Sequence, residues 1–387
     1  MISAIQTFVS LFFILLIQAP VAVLALEPAS TGANPLEPSI GSGSTIAPSG
    51  TQTVAPKPAT APSGNSGLRS PATSAASNPV AVPQAVAPPV RQKGPPQPKE
   101  YLLPNGLRIV LVEEHSLPVV SCLMWYRVGA RNERAGSTGL SHMVEHMLFE
   151  EVGPFRKGEI GATIVRNGGQ FNGFTSDDFT AFFETLHPSK LDLALRIESV
   201  RMQSARFTKP AVQAEVANIN KEFEEEQSDP AALLTSEVRC VSFLHHPYGS
   251  PTRGWRVDVD GLTAEDAKGF YDRFYVPNNA SLVLVGDFSS ANALLLIKKH
   301  FAAIPKSVTP IPQIRAHEPE QHAERRVIMR YPGKTELLQI AYHAPSISDQ
   351  DSAAMAVLEK LMNANFTGRL KTRLMETKIC TGATSQF

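Results

Sequence analysis

The chain has 387 residues, with 36 lysines and arginines against 36 aspartates and glutamates, so its formal net charge is zero. The length exceeds what one ordinary core needs and predicts two domains, while the neutral balance gives no reason to expect a nucleic acid or an anionic membrane as main partner. The three cysteines, Cys122, Cys240 and Cys380, are far apart in the sequence, and no two of them form a CxxC motif. Neither a disulfide framework nor a cysteine zinc site is therefore indicated.

The N-terminus carries an apolar run at residues 8–25, "FVSLFFILLIQAPVAVLA", which ends in small residues. This pattern predicts a signal peptide over 1–25 that is cleaved after Ala25, and hence a periplasmic or secreted protein. Because no lysine or arginine precedes the run, an uncleaved N-terminal anchor is the alternative. No second run reaches the roughly 18 apolar residues that a membrane span needs.

Residues 26–98 are rich in proline, alanine and serine and contain hardly any large apolar residue. Such a segment cannot bury enough surface to offset the entropy of ordering it, so we expect a disordered linker. The folded part is therefore expected to begin near Lys99.

The first folded domain is predicted over 99–305 as α+β, with a mostly antiparallel sheet and helices packed on one face. An Asn-Gly turn in "YLLPNGLRIVLVEE" predicts a hairpin, and "VVSCLMWYRVGA" a buried strand. "QFNGFTS", "FTAFFETL" and "ASLVLVGDF" are the other predicted strands. Helical patterns lie at residues 138–150, 157–167, 188–204, 210–228, 230–244 and 263–274.

A second domain is expected to follow a connector at 306–324. "RRVIMRY" and "ELLQIAYHAP" predict a strand pair, and "SAAMAVLEKLMNA" predicts a helix. We interpret 325–387 as the incomplete start of a second α+β half that is homologous to the first.

The segment "GLSHMVEHMLFE" places His142, Glu145 and His146 within one predicted helix. At about 100° per residue, all three project from one helix face. Two histidines four residues apart can bind one Zn²⁺, and a neighbouring carboxylate can act on a water at the metal. The alternative is an amphipathic helix whose apolar residues pack while its histidines only bond to neighbours.

Candidate third ligands lie in "VQAEVANINKEFEEE", residues 212–226, which has a helical apolar stripe. Glu215, Glu222 and Glu226 flank that stripe, whereas Glu224 and Glu225 point away from it. Geometry alone does not choose among the first three.

These motifs together resemble the pitrilysin/insulinase zinc peptidases, the inverzincins with an HxxEH helix, and most of all their smaller bacterial and mitochondrial-processing-peptidase-like branch. The resemblance runs from about Glu100 to the last residues and includes "NGGQFNGFTSDDFTAFFETL", "EFEEEQSDP", "HHPYGSPTRGW" and "FYVPNNASLVLVGDF". In that family the third ligand follows the second histidine by about 76 residues, and 222 − 146 = 76 selects Glu222. A family glutamate seven residues earlier, which supports the site, matches Glu215.

The resemblance implies a zinc metalloendopeptidase with one Zn²⁺ per chain, held by His142, His146 and Glu222. Glu145 would be the general base and Glu215 a supporting catalytic residue. The substrate, a peptide or unfolded polypeptide, would add as an extra strand along the segment formed by Phe171, Asn172, Gly173, Phe174 and Thr175.

Active single-chain relatives also carry an arginine and, seven residues later, a tyrosine in the second half. The matching positions here are Met375 and Gly382, which cannot donate a side-chain hydrogen bond to an oxyanion. The chain therefore resembles the zinc-holding subunit of two-chain enzymes, and we expect a homologous partner that supplies the Arg/Tyr pair. The alternatives are a non-catalytic subunit of a peptidase-like complex and a different metal hydrolase, but the intact HxxEH motif and the glutamate spacing oppose them.

Overall fold

A computed structural model describes residues 96–387, so the predicted signal peptide and most of the predicted linker lie outside the described residues. The described chain forms two units, 96–345 and 346–387. The first contains strands β1 (Lys99–Leu102), β2 (Arg108–Glu113), β3 (Val120–Tyr126), β4 (Gln170–Thr175), β5 (Thr180–Leu186) and β6 (Ala280–Gly286). They form one sheet in the order β1-β2-β6-β3-β5-β4.

The sheet is mostly antiparallel, as the sequence predicts. β1–β2, β3–β5, β3–β6 and β4–β5 are antiparallel pairs, whereas β2 and β6 run parallel. The parallel pair was not predicted, because it joins segments that are far apart in the chain.

One face of the sheet carries the core. Val120, Cys122, Met124 and Tyr126 of β3 are fully buried, and the residues between them are only partly buried. This alternation arises because successive side chains of a strand point to opposite faces. The α+β fold with helices on one face is therefore confirmed.

The first unit has eight α-helices in the part of the chain that the structure describes. Their bounds are α1 (Leu140–Met147), α2 (Glu159–Arg166), α3 (Leu191–Gln203), α4 (Lys209–Gln227), α5 (Pro230–Ser242), α6 (Arg256–Asp260), α7 (Ala264–Phe274) and α8 (Ser290–Phe301). The sequence predicted α1 to α5 and α7, with ends that differ by a few residues. It missed α6 and α8.

Residues 302–345 complete the first unit without regular structure. The strands predicted at 325–331 and 336–345 are not formed there. A strand needs a hydrogen-bonding neighbour, and these segments pair with none within 96–345. They instead line a cavity of about 1850 Å³ beside α5.

The second unit contains the predicted helix, α9 (Ser352–Asn363), and a π-helical turn at Lys371–Met375. The expected domain boundaries and the homology of the two halves remain predictions. Across residues 96–387, no helix is both long and apolar enough to span a membrane.

Candidate metal centre

Helix α1 has a tightly fixed start. Gly139, which precedes it, has φ +88°, and a Cβ at this position would lie 2.6 Å from the carbonyl oxygen of Arg253. The Glu133 carboxylate accepts hydrogen bonds from the backbone N–H groups of Gly139 and Ser141, each at 2.7 Å. A carboxylate at this end satisfies free N–H groups and complements the helix dipole, so the orientation of α1 is well determined.

Three predicted ligand side chains converge between α1 and α4. His142 Nε2 and His146 Nε2 lie 3.2 Å apart, and Glu222 places its Oε1 3.4 Å from His146 Nε2 and its Oε2 3.7 Å from His142 Nε2. A tetrahedral ion with bonds of about 2.0–2.1 Å separates its ligand atoms by about 3.3 Å. The three side chains therefore already have nearly the mutual spacing that a zinc ion requires.

The supporting glutamate lies behind His146. Glu215 Oε2 is 3.2 Å from His146 Nδ1, and its Oε1 is 3.1 Å from Asn218 Nδ2 and 3.4 Å from Lys157 Nζ. Lys157 also contacts Glu150 at 2.7 Å. When His146 donates from Nδ1 to Glu215, its Nε2 lone pair points toward His142 and Glu222, which is the form that binds a metal.

The electrostatics favour neutral His142 and ionised Glu215. Burial, with the nearby His146 and Arg253, lowers the pKa of His142 to about 3. Burial acts to raise the pKa of Glu215, but its hydrogen bonds to His146 and Asn218 outweigh burial and hold that pKa at about 2. Burial also opposes a charge on His146, yet Glu215 and Glu222 raise the pKa of His146 overall.

Glu145 lies on the same face of α1 and is only 7% exposed. Burial raises its pKa, while a hydrogen bond from Thr175 and the charge of His146 act in the opposite direction. Thr175 Oγ1 donates to Glu145 Oε2 at 2.7 Å. A buried carboxylate with a raised pKa beside a cluster of ligand atoms is suited to proton transfer.

Glu226, the third candidate from the sequence, is held elsewhere. Arg253 Nη1 contacts Glu226 Oε2 at 2.7 Å, and Arg253 Nε lies 3.1 Å from Glu222 Oε2. The sequence did not identify Arg253 or Lys157 as part of the site. Both come from irregular segments, where no periodic pattern indicates which way a side chain points.

The strand predicted to bind substrate is β4, at one edge of the sheet. Phe171 and Gly173 face the helices: a Cβ on Gly161 would lie 2.4 Å from the Phe171 ring, and a Cβ on Gly173 would lie 2.8 Å from Phe149. In the described residues β4 pairs only with β5, so its other edge has no strand neighbour.

The remaining side chains of β4 project from the opposite face or reach the site. Asn172 Oδ1 accepts a hydrogen bond from the backbone N–H of the next residue, Gly173, at 2.9 Å. The Phe174 ring meets Phe179 edge-on at 5.7 Å. Thr175 donates a hydrogen bond to a side chain of α1, that of Glu145.

The donor set fits a zinc ion. His142, His146 and Glu222 each offer one ligand atom, and these atoms lie within 4.8 Å of one another. His142 Nδ1 is buried without a hydrogen-bond partner, so nothing competes with metal binding by fixing the ring in another orientation. Two imidazoles and one carboxylate match the ligands of catalytic zinc sites.

Two family models match most of the chain that follows the predicted linker. The model described as Insulinase (Peptidase family M16) matches residues 108–254, and the one described as Peptidase M16 inactive domain matches residues 261–387. The first match contains His142, His146 and Glu222.

Individual relatives agree with these matches. Zinc protease PqqE of Helicobacter pylori is 28% identical over 289 residues, covering 73% of this chain and 65% of that protein. A probable mitochondrial-processing peptidase subunit beta of Arabidopsis thaliana is 23% identical, covering 70% and 51%. The crystal structure of a protease from Helicobacter pylori has a TM-score of 0.70 at 27% identity, over 75% of this chain and 71% of that one.

The chain spans about a third to two thirds of the length of the curated relatives that it matches. Several of these relatives are named zinc proteases, which supports zinc as the cofactor. With residues 108–254 and 261–387 matched by models of one family, the chain belongs to the insulinase family of peptidases, family M16.

Proposed function

We propose that this chain is a zinc metalloendopeptidase that hydrolyses peptides or unfolded polypeptide segments. One observation carries the proposal: three ligand atoms of His142, His146 and Glu222 lie within 4.8 Å, on the same helix face as a buried carboxylate, Glu145. Membership of the family supports this assignment.

In this proposal His142, His146 and Glu222 hold a single Zn²⁺, and Glu215 orients His146 from behind. Bound zinc would polarise the scissile carbonyl and lower the pKa of a water molecule toward about 7. His142 requires no deprotonation before it binds, because burial keeps its pKa at about 3.

Glu145 is the proton carrier. As a water oxygen forms its bond to the carbonyl carbon, the Glu145 carboxylate accepts a proton from that water. When the C–N bond breaks, Glu145 returns the proton to the departing nitrogen, so the products are one carboxylic acid and one amine, and the acid's proton then passes to the amine or to solvent. Burial supports both steps, because it raises the pKa of the Glu145 carboxyl group and so makes the carboxylate a stronger base.

The substrate is proposed to pair with the free edge of β4. Main-chain pairing of this kind fixes the register of a peptide while demanding little of its side chains. The exposed edge of Gln170–Thr175 and its position beside α1 support this docking mode. Phe171 and Gly173 would then contribute their backbone, since their side-chain positions face the helices.

Full activity is proposed to need a homologous chain that supplies an arginine and a tyrosine. The support is chemical: Met375 and Gly382, at the matching positions, offer no side-chain donors. We further propose export to the periplasm or the exterior, on the basis of the N-terminal apolar run. An uncleaved anchor would retain the chain on the membrane instead.

The test is hydrolysis of an unstructured peptide by the purified chain, alone and with a candidate partner, before and after chelation. We expect chelation to abolish turnover, zinc to restore it, and Glu145→Gln to remain inactive while still binding zinc. Glu225→Gln, an exposed residue of the same acidic run, is the matched control and should retain activity. Turnover that is insensitive to chelation, or an unimpaired Glu145→Gln variant, would overturn the proposal.

A further inference from the structure

We propose that Thr175 is a positioning residue for Glu145: its hydroxyl holds one carboxylate oxygen and leaves the other free to exchange protons. This inference rests on the proposed function and replaces the substrate-binding role that the sequence predicted for Thr175. The geometric basis is the 2.7 Å hydrogen bond from Thr175 Oγ1 to Glu145 Oε2.

The direction of this hydrogen bond is determined by its neighbours. Thr175 and Thr180 face each other across the β4–β5 pair, with their hydroxyl oxygens 3.4 Å apart. Thr180 donates its single hydroxyl proton to the carbonyl oxygen of Val128 at 3.0 Å. A threonine has only one proton to donate and an ionised carboxylate can only accept, so the Thr175 proton goes to Glu145 at 2.7 Å and not to the Thr180 oxygen at 3.4 Å.

The backbone that carries Thr175 is fixed by the turn between β4 and β5. Arg131 Nη1 lies 2.5 Å from Asp178 Oδ1, and the Tyr248 hydroxyl donates to the same carboxylate at 2.7 Å. Arg239 of α5 forms an ion pair with Asp177. Three separate segments thus hold the turn, and they hold Thr175 against α1.

The consequence for Glu145 is a choice between its two oxygens. Oε2 is occupied by a donor that does not leave, so Oε1 is the oxygen available to a water or a departing amine. Because Glu145 is 7% exposed, solvent does not readily replace the lost donor when the hydroxyl is removed. The carboxylate would then be free to rotate away from its productive orientation.

The experiment compares Thr175→Val, which keeps the shape but loses the hydroxyl, with Thr175→Ser, which keeps the hydroxyl. Thr185→Val is the matched control, since Thr185 is another strand threonine whose hydroxyl has one partner, Ser121 at 2.8 Å. Under the conditions that give wild-type turnover, Thr175→Val should lower kcat about 10–100-fold, as expected for the loss of a hydrogen bond to a charged group. KM and zinc affinity should not change, and Thr175→Ser and Thr185→Val should retain most of the activity.

A raised KM with unchanged kcat would show that Thr175 binds substrate and would overturn the inference. Equal losses in Thr175→Val and Thr185→Val would also overturn it, because a general effect on the sheet would then suffice. Crystal structures of the two Thr175 variants test the positioning role of Thr175 without an activity assay. We expect the Glu145 carboxylate to leave its position in the valine variant only, and an unmoved carboxylate there refutes the inference. A wild-type chain that stays inactive with zinc and a candidate partner present refutes the proposed function alone.

Discussion

Glu222 and Glu226 lie one turn apart on α4 and both contact Arg253, but Glu222 also lies beside the two histidines. Glu222 Oε1 lies 3.4 Å from His146 Nε2, whereas Glu226 Oε2 is bound by Arg253 at 2.7 Å. Two acidic residues that neighbour each other on a helix thus take different positions, one at the ligand cluster and one beside it.

Glu222→Gln should therefore weaken zinc binding far more than Glu226→Gln. The first substitution removes a charged ligand atom, and the second removes only a neighbour of Arg253. Zinc stoichiometry and affinity, measured by competition with a chelator, are the readouts. Equal affinities in the two variants would contradict the assignment of Glu222 as the third ligand.

Glu215→Gln should have an intermediate effect on zinc affinity. Its carboxylate accepts from His146 Nδ1 and does not belong to the three-residue cluster. Losing such an outer partner typically costs about 10–100-fold in metal affinity or activity. The same competition assay measures this loss, and an affinity equal to that of the wild type would show that His146 needs no support from Glu215.

Glu145→Gln should lower kcat by about 10²–10⁴-fold, the usual contribution of a general base. Zinc content should remain at the wild-type level, because the substitution preserves size and removes no ligand. Metal analysis and peptide turnover on the same preparation measure both properties. Loss of zinc in this variant would mean that Glu145 is itself a ligand.

The ionised Glu318 carboxylate should stabilise the first unit at neutral pH, and this stabilisation should be lost in acid. Its carboxylate accepts the N–H groups of Leu244, His245 and His246 at 2.8, 2.8 and 2.9 Å. Burial acts to raise its pKa, but these donors and Arg325 lower the pKa of Glu318 from 4.5 to about 2. A lowered folded-state pKa stabilises the fold above pH 4.5, and this contribution is lost as the pH falls toward 2.

Glu318→Gln should therefore lower the Tm at pH 7, and its difference from the wild type should shrink as the pH falls from 4.5 toward 2. Thermal unfolding at several pH values measures this dependence. Glu324→Gln is the control, because Glu324 is 71% exposed and pairs only with Arg326 at the surface. A Tm difference that is independent of pH would show that the charge of Glu318 does not contribute to the stability of the fold.

The chain alone should bind zinc yet turn over peptides slowly, and a homologue with the Arg/Tyr pair should restore the rate. Removing one donor to the developing oxyanion typically costs about 10²–10³ in rate. The measurement is kcat/KM of a verified monomer, with and without that homologue. Full turnover by the monomer, unchanged by the homologue, would show that no partner is needed.

Local patterns predicted most of the elements that build the site. Helices α1 and α4 follow from their apolar periodicity, and their predicted faces agree with the positions of His142, His146 and Glu222 in the structure. Periodicity could not choose between Glu222 and Glu226, because both flank the buried stripe. The choice depends on how α4 packs against α1, which places the Glu222 carboxylate beside the histidines, and such packing is a tertiary feature.

Long-range pairing was the other feature that the sequence did not reveal. β2 and β6 pair in parallel although Arg108 and Ser281 are 281 − 108 = 173 residues apart. The opposite error occurred at 325–331 and 336–345, where apolar alternation predicted strands that have no partner within the first unit. In both cases hydrogen bonding to another strand, which no local pattern encodes, decides the outcome.

The position of β6 determines when the first unit can finish folding. β2 and β3 are consecutive in the chain, yet they are joined only through β6, which lies between them. A nascent chain can form the β1–β2 and β4–β5 hairpins early, but the two halves of the sheet stay separate until residues 280–286 have been synthesised. Closing such long loops is slow, and until then α1 and α4 lack the complete sheet as their support. We therefore expect the two histidines and the glutamate to reach their final positions only after residues 280–286 have been synthesised, well after the segments that bear them.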